Sequence, residues 1–104
     1  MEFIKNKNIV VLAIETTGIQ ANTDKIIELY MLKVCNNEVI EEYQSKFNPE
    51  IEIPLFISNL TGIYQWHVNS SPTIDQEIEN IKTFIGDSVV IGHNLKFDLS
   101  FLNY

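Results

Sequence analysis

The stretch that decides the fold lies near the start of the chain and reads Ile9-Val10-Val11-Leu12-Ala13-Ile14-Glu15-Thr16-Thr17-Gly18. Its apolar part falls within Lys7–Glu15, is as long as a β-strand and is rich in β-branched side chains. Such a run predicts a strand that is buried on both faces of a sheet. The glycine that follows predicts a turn directly after the strand.

Two more strands are predicted after this turn. The first covers Lys25–Cys35, and the second covers Glu38–Phe47, where apolar and polar residues alternate as expected for a less protected edge strand. Asn36 and Asn37 lie between them, and asparagine tolerates the positive φ that a two-residue hairpin turn requires. Short connections between three successive strands predict an antiparallel meander.

Helices and one more strand are predicted in the second half of the chain. Thr73–Ile85 is the clearest helix, because its isoleucines recur every three or four residues and Thr73 provides an N-terminal capping signal. The other predicted elements are a short helical turn within Ser58–Ile63, a strand at Ser88–Gly92 and a final helix at Leu95–Tyr104.

The order of these elements predicts an α/β fold with a mixed sheet. The helix at Thr73–Ile85 would act as a right-handed crossover and place the Ser88–Gly92 strand parallel to an earlier one. Glu15 and the His93-Asn94 pair would then meet at the same edge of the sheet. Ligands of open α/β sheets bind at such an edge.

Composition limits the class of protein. The chain has 104 residues, a formal net charge of −7 and 45% hydrophobic residues, which predicts one globular domain over residues 1–104. No apolar run is long enough to cross a bilayer, and the first residues do not resemble a secretory signal, so we expect no membrane association. Because Cys35 is the only cysteine, an internal disulfide is excluded, and a reducing cytoplasmic location is expected.

The charge distribution argues against a broad nucleic-acid interface. All seven basic residues are lysines, and they are outnumbered by 14 acidic residues. A surface that tracks duplex phosphates needs clustered positive charge, which this chain lacks. Bound metal ions can nevertheless reverse the local field, so a metal-dependent nuclease is not excluded.

Two long motifs carry a resemblance to a known family. Val10–Gly18 resembles the first motif, Asp-x-Glu-Thr-Thr-Gly, of the DEDD (DnaQ-like) 3′–5′ exonucleases, which have a ribonuclease H-like fold. Ile91–Leu102 resembles the second motif, His-Asn-x-x-Phe-Asp-x-x-Phe-Leu, and Leu60–Ile63 resembles the segment that lines the substrate strand. The likeness is greatest to the DNA polymerase III proofreading branch, including PolC-like and helicase-fused relatives.

The resemblance implies an activity and a set of site residues. The family hydrolyses terminal phosphodiesters at a DNA 3′ end with two Mg²⁺ or Mn²⁺ ions, so single-stranded DNA and a polymerase or helicase are the implied partners. Glu15 and Asp98 would be catalytic metal ligands. The implied substrate contacts are Thr16, Thr17, Leu60, Thr61 and Asn94.

Physical chemistry agrees with the pattern of acids. Residues i and i+2 of a strand point to the same face, so Asp-x-Glu brings two carboxylates together. Two carboxylates about 4 Å apart repel by roughly 4 kcal/mol at an effective dielectric constant of about 20. Bound cations relieve this repulsion, and a pair of them can hold both the attacking water and the leaving oxygen.

The chain departs from the family pattern at two points. Ala13 occupies the position of the first aspartate, and a methyl group cannot coordinate a metal ion. The third motif, His-x-x-x-x-Asp, does not follow Asp98 before the last residue, Tyr104, which predicts a C-terminally incomplete, N-terminal part of the family domain. We therefore expect impaired catalysis or none, through either an engineered inactivation or a natural loss.

Several residues have two interpretations. Leu60 and Thr61 fit plain packing as well as contact with a substrate base. Trp66 and His67 are predicted in a polar loop, where an aromatic ring can stack on a base, although packing is the favoured role of Trp66. For His93 a structural or substrate-edge role is favoured over that of a general base.

Two other functions stay open. One is a non-catalytic module that binds nucleic acid or protein on the same scaffold, and the other is a small structural or assembly domain. An unpaired edge of the Ser88–Gly92 strand and an uncovered face of Leu95–Tyr104 would favour self-association, so we expect a homodimer through this C-terminal side, or dependence on a complementary fragment.

Overall fold

Eight regular elements make up the part of the chain that a computed structural model describes, residues 6–102. In chain order they are β1 (Ile9–Thr16), β2 (Ile26–Cys35), β3 (Glu38–Lys46), α1 (Leu55–Thr61), α2 (Gln65–Val68), α3 (Ile74–Ile85), β4 (Val89–Gly92) and α4 (Leu95–Leu102). The last two residues of the predicted final helix, 103 and 104, lie outside the described residues. None of the helices in residues 6–102 has the length and apolar character that a bilayer span requires.

The strands form one mixed sheet in the order β3-β2-β1-β4. Antiparallel pairing joins β1 to β2 and β2 to β3, whereas β4 pairs in parallel with β1. Asn36 and Asn37 form the β2–β3 turn with φ values of 51° and 68°, as their tolerance of positive φ predicts. The predicted meander and parallel crossover are both confirmed.

The prediction that β1 is buried on both faces is wrong. Val10 and Leu12 are buried, but Val11 is 37% exposed and Ala13 is also exposed. Within the described residues, α3 and α4 pack on only one face of the sheet. We call that face, which carries Val10 and Leu12, the covered face, and the other the open face.

The main core lies between the covered face and two helices. It joins Leu12 and Met31 of the sheet to Ile81 and Ile85 of α3 and to Leu102 of α4. The C-terminal helix therefore has part of its apolar surface covered, contrary to the expectation from sequence. The exposed apolar side chains near this end belong instead to β4, at Val89 and Ile91.

Side-chain hydrogen bonds fix α3 on the sheet. Its N-terminus is capped reciprocally, because the Gln76 backbone N–H donates to Thr73 Oγ1 and the Thr73 N–H donates to Gln76 Oε1 (3.0 Å). On the sheet side, Tyr43 Oη donates to Glu77 Oε1 over 2.9 Å. The predicted capping signal is confirmed.

A second, smaller apolar cluster supports α1 and α2. It consists of Ile27, Ile53, Ile57, Ile63 and Val68. Helix α1 begins at Leu55, three residues before the predicted helical turn, because Pro54 precedes its first turn, where a missing N–H has no cost. Trp66 and His67, predicted in a polar loop, instead lie in α2, since Val68 of this helix is buried in the cluster.

Candidate active site

Position 13 and Glu15 both belong to the open face. They lie two residues apart on β1, and both are exposed. Their partners on β2 are Tyr30, which pairs with Ala13, and Glu28, which pairs with Glu15. The predicted i, i+2 geometry is therefore present, with a methyl group in place of the first carboxylate.

Glu15 has an acidic neighbour on the adjacent strand. Glu28 lies directly opposite it, and like charges in this position are destabilising. Partial burial raises the pKa of the Glu15 carboxyl, and the negative charge of Glu28 raises it further. Lys46 partly neutralises the pair, because its Nζ lies 3.2 Å from Glu28 Oε2.

Asp98 lies in the first turn of α4 and is only 6% exposed. Burial raises the pKa of its carboxyl, and the nearby His93 opposes this shift. A Cβ atom at Gly92 would lie 3.5 Å from Asp98 Oδ2 and only 2.9 Å from the Leu12 carbonyl oxygen. The absence of a side chain at Gly92 thus allows the close approach of the Leu12 carbonyl of β1, and Asp98 lies beside this end of β4.

The turn after β1 is organised by Asp24, which sequence reasoning missed. Its Oδ1 accepts a 2.9 Å hydrogen bond from Thr17 Oγ1, and its Oδ2 accepts one from the Gln20 backbone N–H over 3.0 Å. The same carboxylate fills the space where a side chain on Gly18 would lie. An Asp in a polar turn ahead of a strand is the signal that could have identified it, since Asp side chains commonly bond nearby backbone N–H groups.

The predicted threonine contacts differ in how they are used. Thr17 is 1% exposed, and its hydroxyl also accepts the Lys25 backbone N–H over 3.0 Å, so it stabilises the turn. Thr16 Oγ1 donates to the Gly18 carbonyl over 2.5 Å. Thr61 Oγ1 donates to the Ile57 carbonyl over 2.8 Å at the end of α1. The three hydroxyl groups are thus engaged within the chain.

The remaining predicted contacts are exposed. Leu60 is 79% exposed on α1, and Asn94 is exposed between β4 and α4, where its carbonyl accepts the Asp98 N–H over 3.0 Å. The small core cluster fixes α1 to Ile27 of β2, close to Glu28 and hence to the Glu15 end of β1. Pairing of β1 with β4 brings the residues after Gly92 to the same end of the sheet.

The acids present do not fit the two-metal centre that the family resemblance implies. Across residues 6–102 there is no group of three or more His, Cys, Asp or Glu side chains that could hold a metal ion. Ala13 offers no ligand atom, so Glu15 and Asp98 are the retained acids of the two motifs. Two carboxylates are too few to place two cations without further ligands.

Family models provide the first comparison with known proteins. A family model described as "Exonuclease" (RNase_T) matches residues 10–104, nearly the whole chain. The chain belongs to this RNase_T exonuclease family. The predicted DEDD-type resemblance is thereby confirmed.

Relatives with curated descriptions are much longer than this chain. The PolC-type DNA polymerase III of Clostridium perfringens is 40% identical over 93 residues, which is 89% of this chain and 6% of the relative. The PolC-type DNA polymerase III of Halalkalibacterium halodurans is 39% identical over 94 residues, or 90% of this chain and 7% of the relative. The chain therefore spans less than a tenth of the length of these polymerases.

Solved structures of exonuclease I share the fold. Apo exonuclease I superposes with a TM-score of 0.82 at 15% identity over 94% of this chain and 24% of its own. Escherichia coli exonuclease I in complex with a dT13 oligonucleotide superposes with a TM-score of 0.81 at 15% identity, over 92% of this chain and 22% of its own. The predicted α/β fold class is confirmed by this match.

Proposed function

We propose that this chain is a 3′–5′ exonuclease-type domain that binds the 3′ end of single-stranded DNA but hydrolyses it poorly or not at all. Membership of the exonuclease family and the similarity to PolC-type polymerases support the substrate class. The solved structure of E. coli exonuclease I with an oligonucleotide has the same fold, which supports a strand-binding role. A DNA replication protein is the proposed setting.

Ala13 is the observation that carries the proposal of impaired catalysis. Ala13 is exposed on the open face, two residues from Glu15 and beside the strand end near which Asp98 lies. The family places its first aspartate at this position. A methyl group cannot hold a cation, and no nearby acid in the described residues completes a group of three. The reaction that two metal ions would support is therefore not expected from this chain.

Strand binding rests on other residues. We propose that the terminal nucleotide contacts the turn at Thr16 and Thr17, together with Leu60, Thr61 and Asn94. The hydroxyls of all three threonines are already engaged, so these residues would contribute their backbone and the shape of their turns. Leu60 and Asn94 are exposed and free to contact the strand directly.

The test restores the missing acid. Ala13→Asp should bind Mn²⁺ about tenfold more tightly than the parent chain, because the new carboxylate would lie two residues from Glu15 on the same face of β1. Ala13→Asn, which has a similar shape without the charge, is the matched control and should gain much less. Calorimetric titration with Mn²⁺ measures both affinities.

Hydrolysis is measured on the same variants with an end-labelled single-stranded oligonucleotide and Mn²⁺. We expect digestion by Ala13→Asp to stay close to background, because these 104 residues contain no third motif after Asp98. Robust digestion by this variant, or by the parent chain, would contradict the proposal. Oligonucleotide binding, followed by fluorescence anisotropy, should be saturable in the parent chain.

A protein-binding or assembly module is the second candidate. The open face favours it, since Val11, Val89 and Ile91 are 37%, 38% and 47% exposed, and pairing of β1 with β4 makes them neighbours. Exposed apolar patches on a sheet commonly mark protein contacts. Absence of oligonucleotide binding with and without Mn²⁺ would favour this candidate over the first.

A further inference from the structure

An exposed pair of stacked rings lies outside the residues used so far. Trp66, on α2, is 71% exposed, contrary to the expectation that it packs in the core. Its ring centroid lies 3.7 Å from that of His67, with 30° between the ring planes. A large apolar ring is thus displayed to solvent with a second ring behind it.

The His67 ring that supports Trp66 is held in place. Its Nδ1 accepts a 2.8 Å hydrogen bond from the Tyr64 backbone N–H, which assigns the imidazole proton to Nε2. The centroid of the Tyr64 ring lies 6.1 Å from that of the His67 ring. Tyr64 Oη in turn donates to Asn59 Oδ1 over 2.9 Å. A ring fixed before a ligand arrives costs little entropy when the ligand binds.

The position of α2 places this pair near the site. Ile27, which contributes to the cluster under α1 and α2, lies opposite the irregularity in pairing between Glu15 and Thr16. The segment that carries Leu60 and Trp66 is therefore attached to the same end of β1 as the site residues.

Charge distinguishes the surface from the rest of the chain. Residues 53–74 contain no Asp, Glu, Lys or Arg, although the whole chain has a net charge of −7. Carboxylates elsewhere repel a polyanion, whereas this segment does not. It also lacks cations for pairing with phosphates, so its attraction for a nucleic acid would come from ring stacking, which accepts any base.

We infer that Trp66, backed by His67, is a stacking site for an unpaired base of the single strand whose 3′ end is bound at the candidate active site. The inference rests on the proposed function, and it adds a contact outside the candidate active site. Leu60, on α1, is another exposed apolar side chain of the uncharged segment.

The experiment uses the fact that Trp66 is the only tryptophan in the chain. A 12-nucleotide oligothymidylate is titrated while Trp66 emission and the anisotropy of a labelled oligonucleotide are both recorded. Stacking should quench the emission saturably, with the same midpoint as the anisotropy. An oligonucleotide of the same length with abasic sites should not quench it.

Substitutions of Trp66 distinguish a stacking role from the mere exposure of an apolar side chain. Trp66→Ala should weaken oligothymidylate binding about tenfold, as expected for the loss of one stacked base, whereas Trp66→Phe should stay within about threefold of the parent. Val39→Ala is the matched control, because Val39 is 59% exposed at the opposite end of the sheet from Glu15. It should leave the affinity unchanged.

The outcomes separate this inference from the proposed function. Binding by anisotropy with unquenched Trp66 emission and an unaffected Trp66→Ala variant would overturn the stacking site and leave the proposed function standing. Absence of binding would overturn both. Emission that shifts with protein concentration but not with the oligonucleotide would show that a second copy covers Trp66, which also overturns the inference.

Discussion

The two faces of β1 are built from alternating residues of the same strand, yet they serve different purposes. Val10 and Leu12 on the covered face are buried and hold the sheet against α3 and α4. Val11, Ala13 and Glu15 on the open face are exposed. The position with the greatest consequence for chemistry is therefore one of the least important for folding, which explains how an alanine can replace an acid there and leave the fold intact.

The largest expected effect on stability comes from a substitution on the covered face. Leu12→Ala should lower the free energy of unfolding by about 2–5 kcal/mol, since it leaves a cavity in the core. Val11→Ala, next to it on the open face, should cost less than about 1 kcal/mol because its side chain remains in contact with water. Urea denaturation followed by circular dichroism measures both, and equal losses would contradict the assignment of the faces.

A smaller effect concerns Asp98, whose buried carboxyl has a raised pKa. The folded state therefore binds the Asp98 proton more tightly than the unfolded state does. Protonated Asp98 thus contributes to stability at pH values below the unfolded pKa, and this contribution is lost as the pH rises through the folded pKa. Asp98→Asn removes the cost of burying the charge. At pH 7 it should raise Tm, and a domain of this size gains about 4–8 °C for each 1 kcal/mol of stabilisation.

Thermal unfolding at pH 7 and pH 4 tests this sign. The gain from Asp98→Asn should shrink as the pH falls towards pH 4, because a growing fraction of the native carboxyl is then protonated. Asp87→Asn is the control, because the Asp87 side chain is 95% exposed, and it should change Tm little at either pH. A stabilisation by Asp98→Asn that grows towards pH 4 would show that the folded state favours the charged carboxylate.

The smallest effect on stability is expected on the open face. Ile91→Lys should alter the free energy of unfolding by less than about 0.5 kcal/mol, since Ile91 is 47% exposed. It should nevertheless convert the expected homodimer to a monomer, because a charge would enter an apolar contact. Light scattering over the micromolar range measures this, with Leu55→Lys on α1 as control. A monomeric parent chain would contradict the predicted self-association.

Local patterns predicted most of the architecture. The isoleucine spacing and the Thr73 cap defined α3, and Asn36-Asn37 marked the hairpin, because capping and turn conformation depend on residues close in sequence. The crossover helix predicted that β4 lies parallel to one of the earlier strands, and the structure shows that this strand is β1. The same pairing brings Glu15 and the residues after Gly92 to one end of the sheet, as predicted.

The rest depended on contacts between distant residues. Which face of β1 is covered is decided by where α3 and α4 pack, and an apolar run cannot encode this choice by itself. The exposure of Trp66 follows from Val68 taking the buried position on α2. The bond between Thr17 and Asp24 joins residues seven apart across a turn without regular periodicity.

That last bond has a consequence for how this chain can change over generations. The bend after β1 is shaped by the Asp24 carboxylate and the Thr17 hydroxyl, and neither depends on what residue 13 is. The alanine codons GCT and GCC differ from an aspartate codon by a single nucleotide. From such a codon, an ancestor or descendant could gain or lose an aspartate at position 13 in one mutational step, while the turn after β1 stayed unchanged.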